Sequence, residues 1–383
     1  MMATRQELRT ILDGLLAQGS EDRFVGIDPY DLASAKLRLP SSVLSKVSFL
    51  NKVSPINFRP LLGIRPSENS KSNALFLNAM VVDGFQAHLQ DIEHLVAWFE
   101  NNKSPQFEEF SVGFAFEMAL TRYSSGPGKT SLIISLFAVF ALMDLYERTN
   151  DERALKPVLS FARLLEERWR KEETTESLWY SYLPDVSDEV YNASAKVGRF
   201  FSKLYKLTGD ERYLTKVRKI LSYLRSVQSP DGTWAYSNKI SYVDGFHTSF
   251  ILEAIHDMRS TVGGSEYDSM FASGLLNYSE NLFEGSRPLH FHPEHRPRDV
   301  RSYIIRTEIR DAANAIILFT KLKDLERAER ILQWTMANYY DKRKKYFYFY
   351  DNPMVMSKIR YVRWQGWMAL AIATFLNAGN EID

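Results

Sequence analysis

The sequence predicts an all-α fold, an (α/α)6 toroid of inner and outer helices, from three observations. A unit recurs about every 55 to 60 residues. Each unit alternates a helix apolar on most sides with an amphipathic one. A short aromatic stretch follows each outer helix: Trp179-Tyr180-Ser181-Tyr182, Trp234-Ala235-Tyr236, His290-Phe291-His292 and Tyr346-Phe347-Tyr348-Phe349-Tyr350.

The clearest copy runs from Leu204-Tyr205-Lys206-Leu207-Thr208-Gly209-Asp210-Glu211-Arg212 to Asp244-Gly245-Phe246-His247-Thr248-Ser249. Thr208–Arg212 echoes Thr149–Arg153 at a distance of 59, and Leu325-Glu326-Arg327 restates it 115 residues further on. Residues 130–149 are apolar on nearly every side, which predicts a helix buried all round. Residues 152–170 place Leu155, Val158, Leu159, Ala162, Leu165 and Trp169 at helical spacing among Arg and Glu, an amphipathic outer helix. The same alternation predicts helices over 192–207 and 212–228, 246–260 and 267–283, and 308–322 and 326–340, with a last inner helix over 363–377. Earlier, 5–18 and 41–53 read as helices and 69–99 as two. About six pairs close a ring, so one domain is expected over 1–383, with 1–110 its less regular part. Strand signals are confined to the aromatic loops.

Bulk composition narrows the function. Hydrophobic content of 45% and charged content of 25% are ordinary for a soluble chain, and a net charge of +1 offers no basic stripe for nucleic acid. With no cysteine, thiol catalysis and Cys-ligated zinc are excluded. No apolar run is long enough to span a membrane, and the charged N-terminal stretch lacks the apolar core of a signal peptide, so a cytoplasmic protein is expected.

Inner helices in a parallel ring aim their N-terminal N–H groups at one pocket, which favours an anion. The repeat register places Asn192 (beside Tyr191), Asp244 with His247, Glu308 with Arg310 and Asp311, and Arg363 with Trp364 and Gln365 in the first turns of four inner helices. Asp244 suits a helix N-cap as well as a pocket acid. His247 faces either the pocket or a neighbouring helix. Asp28 and Asp31 flank Tyr30 in a polar turn, and Arg59, in an otherwise apolar stretch, wants a buried anion or a carbonyl. Trp234, Tyr236 and Trp364 offer faces for a sugar. His290, His292 and His295 share a loop, but their spacing is not a familiar ligand pattern; no metal and no cofactor is expected.

Gly26-Ile27-Asp28-Pro29-Tyr30-Asp31, Ser54–Ile64, Asp231-Gly232-Thr233-Trp234, Asp244–Phe250 and Arg363-Trp364-Gln365-Gly366-Trp367 resemble the landmarks of a poorly characterised prokaryotic family. That family is associated with surface polysaccharide and archaeal glycan assembly and is labelled similar to D-glucuronyl C5-epimerases or prenyltransferases. The resemblance spans nearly the whole chain. It implies a uronate-containing glycan, or a nucleotide- or lipid-linked sugar, as partner. One landmark departs: where the family has Asp-Ile-His, this chain has Glu308-Ile309-Arg310, so a base at that histidine is lost. Prenyltransferase chemistry needs a zinc-binding cysteine, and squalene-type cyclases need an Asp-x-Asp-Asp acid; neither is present.

C5 epimerisation is therefore the leading expectation, with Arg363 or Arg310 clamping a carboxylate and Glu308, Tyr30 or Tyr361 transferring protons, His247 standing in reserve. A tyrosine base requires nearby cations to lower its pKa from about 10. A glycoside hydrolase or lyase using Asp244 and Glu308 is the alternative, and a non-catalytic glycan- or lipid-carrier-binding protein is the third.

Overall fold

The computed structural model describes residues 3–35, 46–47, 50–51, 54, 56–119, 124–299, 301–351 and 359–379. Its helices are α1 (Arg5–Glu21), α2 (Ser70–Gly84), α3 (Leu89–Asn101), α4 (Leu132–Thr149), α5 (Glu152–Arg163), α6 (Tyr191–Thr208), α7 (Glu211–Ser226), α8 (Gly245–Val262), α9 (Asp268–Asn281), α10 (Ile309–Lys321), α11 (Leu325–Tyr339) and α12 (Val362–Gly379), with one further helical turn at Arg301–Ile304. These match the predicted helices to within a few residues, except that α5 gives way to a π turn at Leu164–Arg168. The helix expected over 41–53 falls largely outside the described residues. None of the described helices is long and apolar enough to cross a membrane.

The repeat has a local physical cause. Two copies join their helices through the same set of bonds, and a third keeps part of it. Thr149 and Thr208 each return their hydroxyl to the carbonyl four residues back, at 2.8 Å, and accept the amide of Asp151 or Asp210. Those two aspartates accept the amides of Arg153 and Arg212 and pair with the same guanidinium groups. Asn150, Gly209 and Lys323 take the left-handed conformation in the three copies, at φ 53°, 70° and 62°. Asp324 completes the third copy by accepting the amide of Arg327. Such a cap contributes about 1 kcal/mol, so the motif fixes where each outer helix starts.

The chain forms two compact units, one of Met1–Ala162 with Thr307–Asp383 and one of Arg163–Arg306. In the first, α12 packs against α2 and α10, α2 against α4, and α10 against α11. The uniformly apolar α4 is buried from Leu132 to Leu145 at all but two positions, Phe137 and Asp144, as a helix without a polar face must be. In the second, α6 lies between α7 and α8. Gly198 permits that approach: a Cβ there would sit 2.4 Å from the Met258 sulfur. The short strands pair as two-residue or three-residue hairpins in the aromatic loops, such as Lys171–Glu173 with Leu178–Tyr180 and Tyr340–Asp341 with Tyr346–Phe347. A further pair, Thr307–Glu308 with Tyr350–Asp351, leads directly into α10.

Candidate functional site

Within the first unit the site residues form three ion pairs. Arg59 is fully buried and donates through Nε to Asp31 at 2.6 Å and through Nη2 to the Asp28 carbonyl at 2.7 Å. The buried anion and the carbonyl that its sequence context demanded are both supplied. Its guanidinium also lies over the Tyr361 ring, 5.1 Å from the centroid, and donates to the Tyr361 hydroxyl at 3.4 Å. Arg363, 2% exposed, sets Nη2 2.6 Å from Asp28 Oδ2 and lies over the rings of Tyr30 and Phe114. Arg310 pairs with Glu308, the N-cap of α10, while Asp311 accepts the Glu308 amide at 2.8 Å.

These pairings revise several expectations. Arg363 and Arg310 already hold carboxylates, so neither is an open clamp for a substrate acid. Tyr361 is fully buried and braces Arg59. Trp364 is 1% exposed and stacks on Phe349 at 4.7 Å, so its face is covered. Gln365 donates to the Phe347 carbonyl at 3.0 Å and accepts the Phe347 amide at 2.8 Å, clasping the aromatic hairpin from within.

Tyr30 is half-buried at the edge of this cluster. Burial raises it above the usual tyrosine range; Arg310 and Arg363 pull it down, Glu308 and Asp28 push it up, and the rise wins. The phenol therefore stays protonated at neutral pH and does not meet the condition of a lowered pKa on which a base role for it rested. Burial likewise pushes the Asp31 carboxyl up to about 6, against the pull of Arg59.

The second unit holds a different constellation. Asp244 caps α8 by accepting the His247 amide through Oδ1 at 2.8 Å, and its Oδ2 lies 2.6 Å from His247 Nδ1. The cap reading of Asp244 is seen directly, and the second oxygen of the same carboxylate is taken up by the His247 ring. Burial alone would raise this carboxyl, but the adjoining imidazole and amide of His247, with the charge of His290, bring it down to about 2. A permanent carboxylate at Nδ1 keeps the proton there and leaves Nε2 as the basic atom. His247 is part-exposed and has no further hydrogen-bond partner among the described residues. Its ring meets Tyr236 edge-on at 4.8 Å, and Tyr236 and Phe291 both pack on Tyr242.

Other residues of this unit serve separate ends. Trp234 is buried, donates to the Leu224 carbonyl at 2.9 Å and fills the space above Gly274, so it is packing and not a sugar platform. Asn192, in the first turn of α6, is buried with no partner for Nδ2 among the described residues. His292 accepts the Glu294 amide, and His295 lies 2.7 Å from Asp231. Among the described residues no group of three His, Asp or Glu is arranged to hold a metal ion.

Sequence reasoning passed over Phe114, Tyr242, His290 as a neighbour of Asp244, and Asn69, whose amide lies 3.5 Å from Asp28. The bridge pairing Asp244 with Phe291 brings the His290 loop beside the dyad, and nothing in spacing announces it.

No protein-family model matches this sequence, and no curated protein matches it. Solved structures do. Cellobiose 2-epimerase from Bacillus thermoamylovorans superposes with a TM-score of 0.64 at 14% identity, over 96% of this chain and 98% of the other. The GH76A α-1,6-mannanase from Salegentibacter gives 0.61 at 13% identity over 98% and 100%. Cellobiose 2-epimerase from Spirochaeta thermophila gives 0.61 at 12% over 83% and 89%. The fold is the (α/α)6 toroid. At this identity the likeness carries fold alone, and function has to be argued from side chains.

Proposed function

We propose that this chain is a carbohydrate-active enzyme that inverts a sugar carbon by moving a proton, with His247 as the base. The observation that carries the reading is the Asp244–His247 pair, whose Nε2 has no partner among the described residues. In the proposed step Nε2 takes the proton from a carbon beside a carbonyl. The C–H electron pair moves into an enediolate, and a proton delivered from solvent water to the opposite face inverts the centre, while His247 gives the abstracted proton back to solvent. Cellobiose 2-epimerases among the structural neighbours fit this chemistry.

The uronate version expected from the family resemblance loses support, because Arg363 and Arg310 are each compensated by a carboxylate. A neutral sugar, whose open-chain aldehyde acidifies the neighbouring C–H, needs no such clamp. The hydrolase reading has neighbours in its favour, among them a mannanase variant solved with α-1,6-mannotriose. Of its two carboxylates, Asp244 at about 2 does not carry the proton that the acid needs near neutral pH, which leaves that role to Glu308, already paired with Arg310.

The test is incubation in D₂O with neutral reducing disaccharides and with uronate oligosaccharides, followed by proton NMR. Deuterium at C2 of the reducing sugar is expected. Deuterium at uronate C5 returns the substrate to the acidic class, and new reducing ends without deuterium on carbon overturn the proposal.

A further inference from the structure

The loop that carries Arg59 is turned inside out. Its cation is fully buried, while Leu50, Ile56, Phe58 and Leu61, near it in sequence, are 63%, 59%, 40% and 84% exposed. Nine large apolar side chains are exposed among the described residues, and four of them fall in these twelve positions, a concentration unlike the scattered exposure of ordinary surfaces. The loop is not slack. The amide of Leu62 bonds the carbonyls of Phe58 and Arg59, Gly63 bonds Pro60 and Ile64 bonds Arg59. Arg59 itself is fixed by Asp31, the Asp28 carbonyl and Tyr361. The turn over 58–64 is held this firmly, so Phe58 and Leu61 stay in water because the fold directs them there.

The charge of this stretch of sequence, apart from the buried and paired Arg59, indicates what would cover the exposed side chains. Between Asp31 and Glu68 the sequence has six Lys or Arg (Lys36, Arg38, Lys46, Lys52, Arg59, Arg65) and no Asp or Glu. The remainder of the chain then carries 42 basic against 47 acidic side chains, a formal charge of −5 in a molecule of +1. Lys46 and Arg65 are both exposed. Apolar side chains flanked by cations, with no acid among them, match a phosphate-bearing lipid surface, where burial of hydrocarbon and attraction to anionic headgroups act together. An apolar protein groove would call for the first feature and not the second.

We propose that this loop is a membrane-surface contact that places Leu50, Ile56, Phe58 and Leu61 in the interfacial region of an anionic bilayer, with Lys46 and Arg65 at the headgroups. The experiment is co-sedimentation of the full chain with vesicles of phosphatidylcholine alone and of phosphatidylcholine with about a third phosphatidylglycerol, at low and high salt. Binding to the anionic vesicles is expected, weakened by salt, and reduced about tenfold or more in the triple variant Ile56→Ser, Phe58→Ser, Leu61→Ser. The double variant Lys46→Glu, Arg65→Glu should lose the preference for anionic lipid. Because the substituted positions are exposed, circular dichroism melting of both variants should match the parent. Absence of binding at low salt, binding retained by the serine variant, or equal binding to phosphatidylcholine alone overturns the proposal. Self-association without vesicles that the serine variant abolishes also overturns it and gives the loop to a second copy of the chain.

Discussion

His247 Nδ1 stands 2.6 Å from Asp244 Oδ2 while the His247 amide donates to Oδ1 of the same carboxylate. Both the ring and the backbone of His247 are thus held by one side chain three residues earlier. Removing either partner should have separable effects.

His247→Ala is expected to abolish solvent deuterium incorporation with little change in sugar affinity. Asp244→Asn, which removes the charge that fixes the tautomer, should lower kcat by about 10² to 10⁴-fold, the usual contribution of a positioned base. Parallel kcat and KM measurements check this: a rise in KM with kcat intact would reassign the pair to binding.

The same carboxylate sets an acid limit on stability. Its folded pKa of about 2 lies below the reference of 3.8, so its contribution is present above about pH 4 and lost as pH falls from there toward 2. About 2 kcal/mol is at stake. Urea unfolding from pH 5 to 2.5 should show this loss in the parent, and Asp244→Asn should show a shallower slope.

Arg59→Met should destabilise the first unit by about 3 to 5 kcal/mol at pH 7.5, since Asp31 is left as an uncompensated buried charge. Asp31 is pushed up to about 6 by burial. A raised carboxyl favours the fold below its unfolded pKa and loses that contribution as pH rises through 6, so the penalty should shrink on going to pH 5. Denaturant titrations at the two pH values test this, and addition of Asp31→Leu should recover part of the loss.

Gln365→Ala should cost about 1 to 3 kcal/mol, because it leaves the buried amide and carbonyl of Phe347 without their partner. Hydrogen exchange at the Phe347 amide should speed up markedly. Unchanged protection there would remove the clasp assigned to Gln365.

The helices were legible because their causes are local. Apolar periodicity, Asp caps and left-handed joints act within a few residues, and the repeated Thr-x-Asp-Glu-Arg segment writes the same joint twice. Locating helix starts was legible for the same reason: Asp244 and Glu308 stand at N-caps and Arg363 in a first turn. Which way each first-turn side chain turns was not legible. Successive helical residues rotate by about 100°, so Arg363 meets Asp28, Trp364 lies on Phe349 and Gln365 reaches Phe347. Those partners are supplied by segments remote in sequence, as Arg59 is for Tyr361 across 302 positions. Local patterning carries no information about such encounters.

The Asp244 cap ties two clocks together. If α8 unwinds at its first turn, the His247 amide leaves the carboxylate and the imidazole loses its orientation in the same event. Heat inactivation should therefore begin with fraying at this one helix end, ahead of loss of the bulk helical signal, and a ligand that occupies His247 should slow both by protecting the same turn.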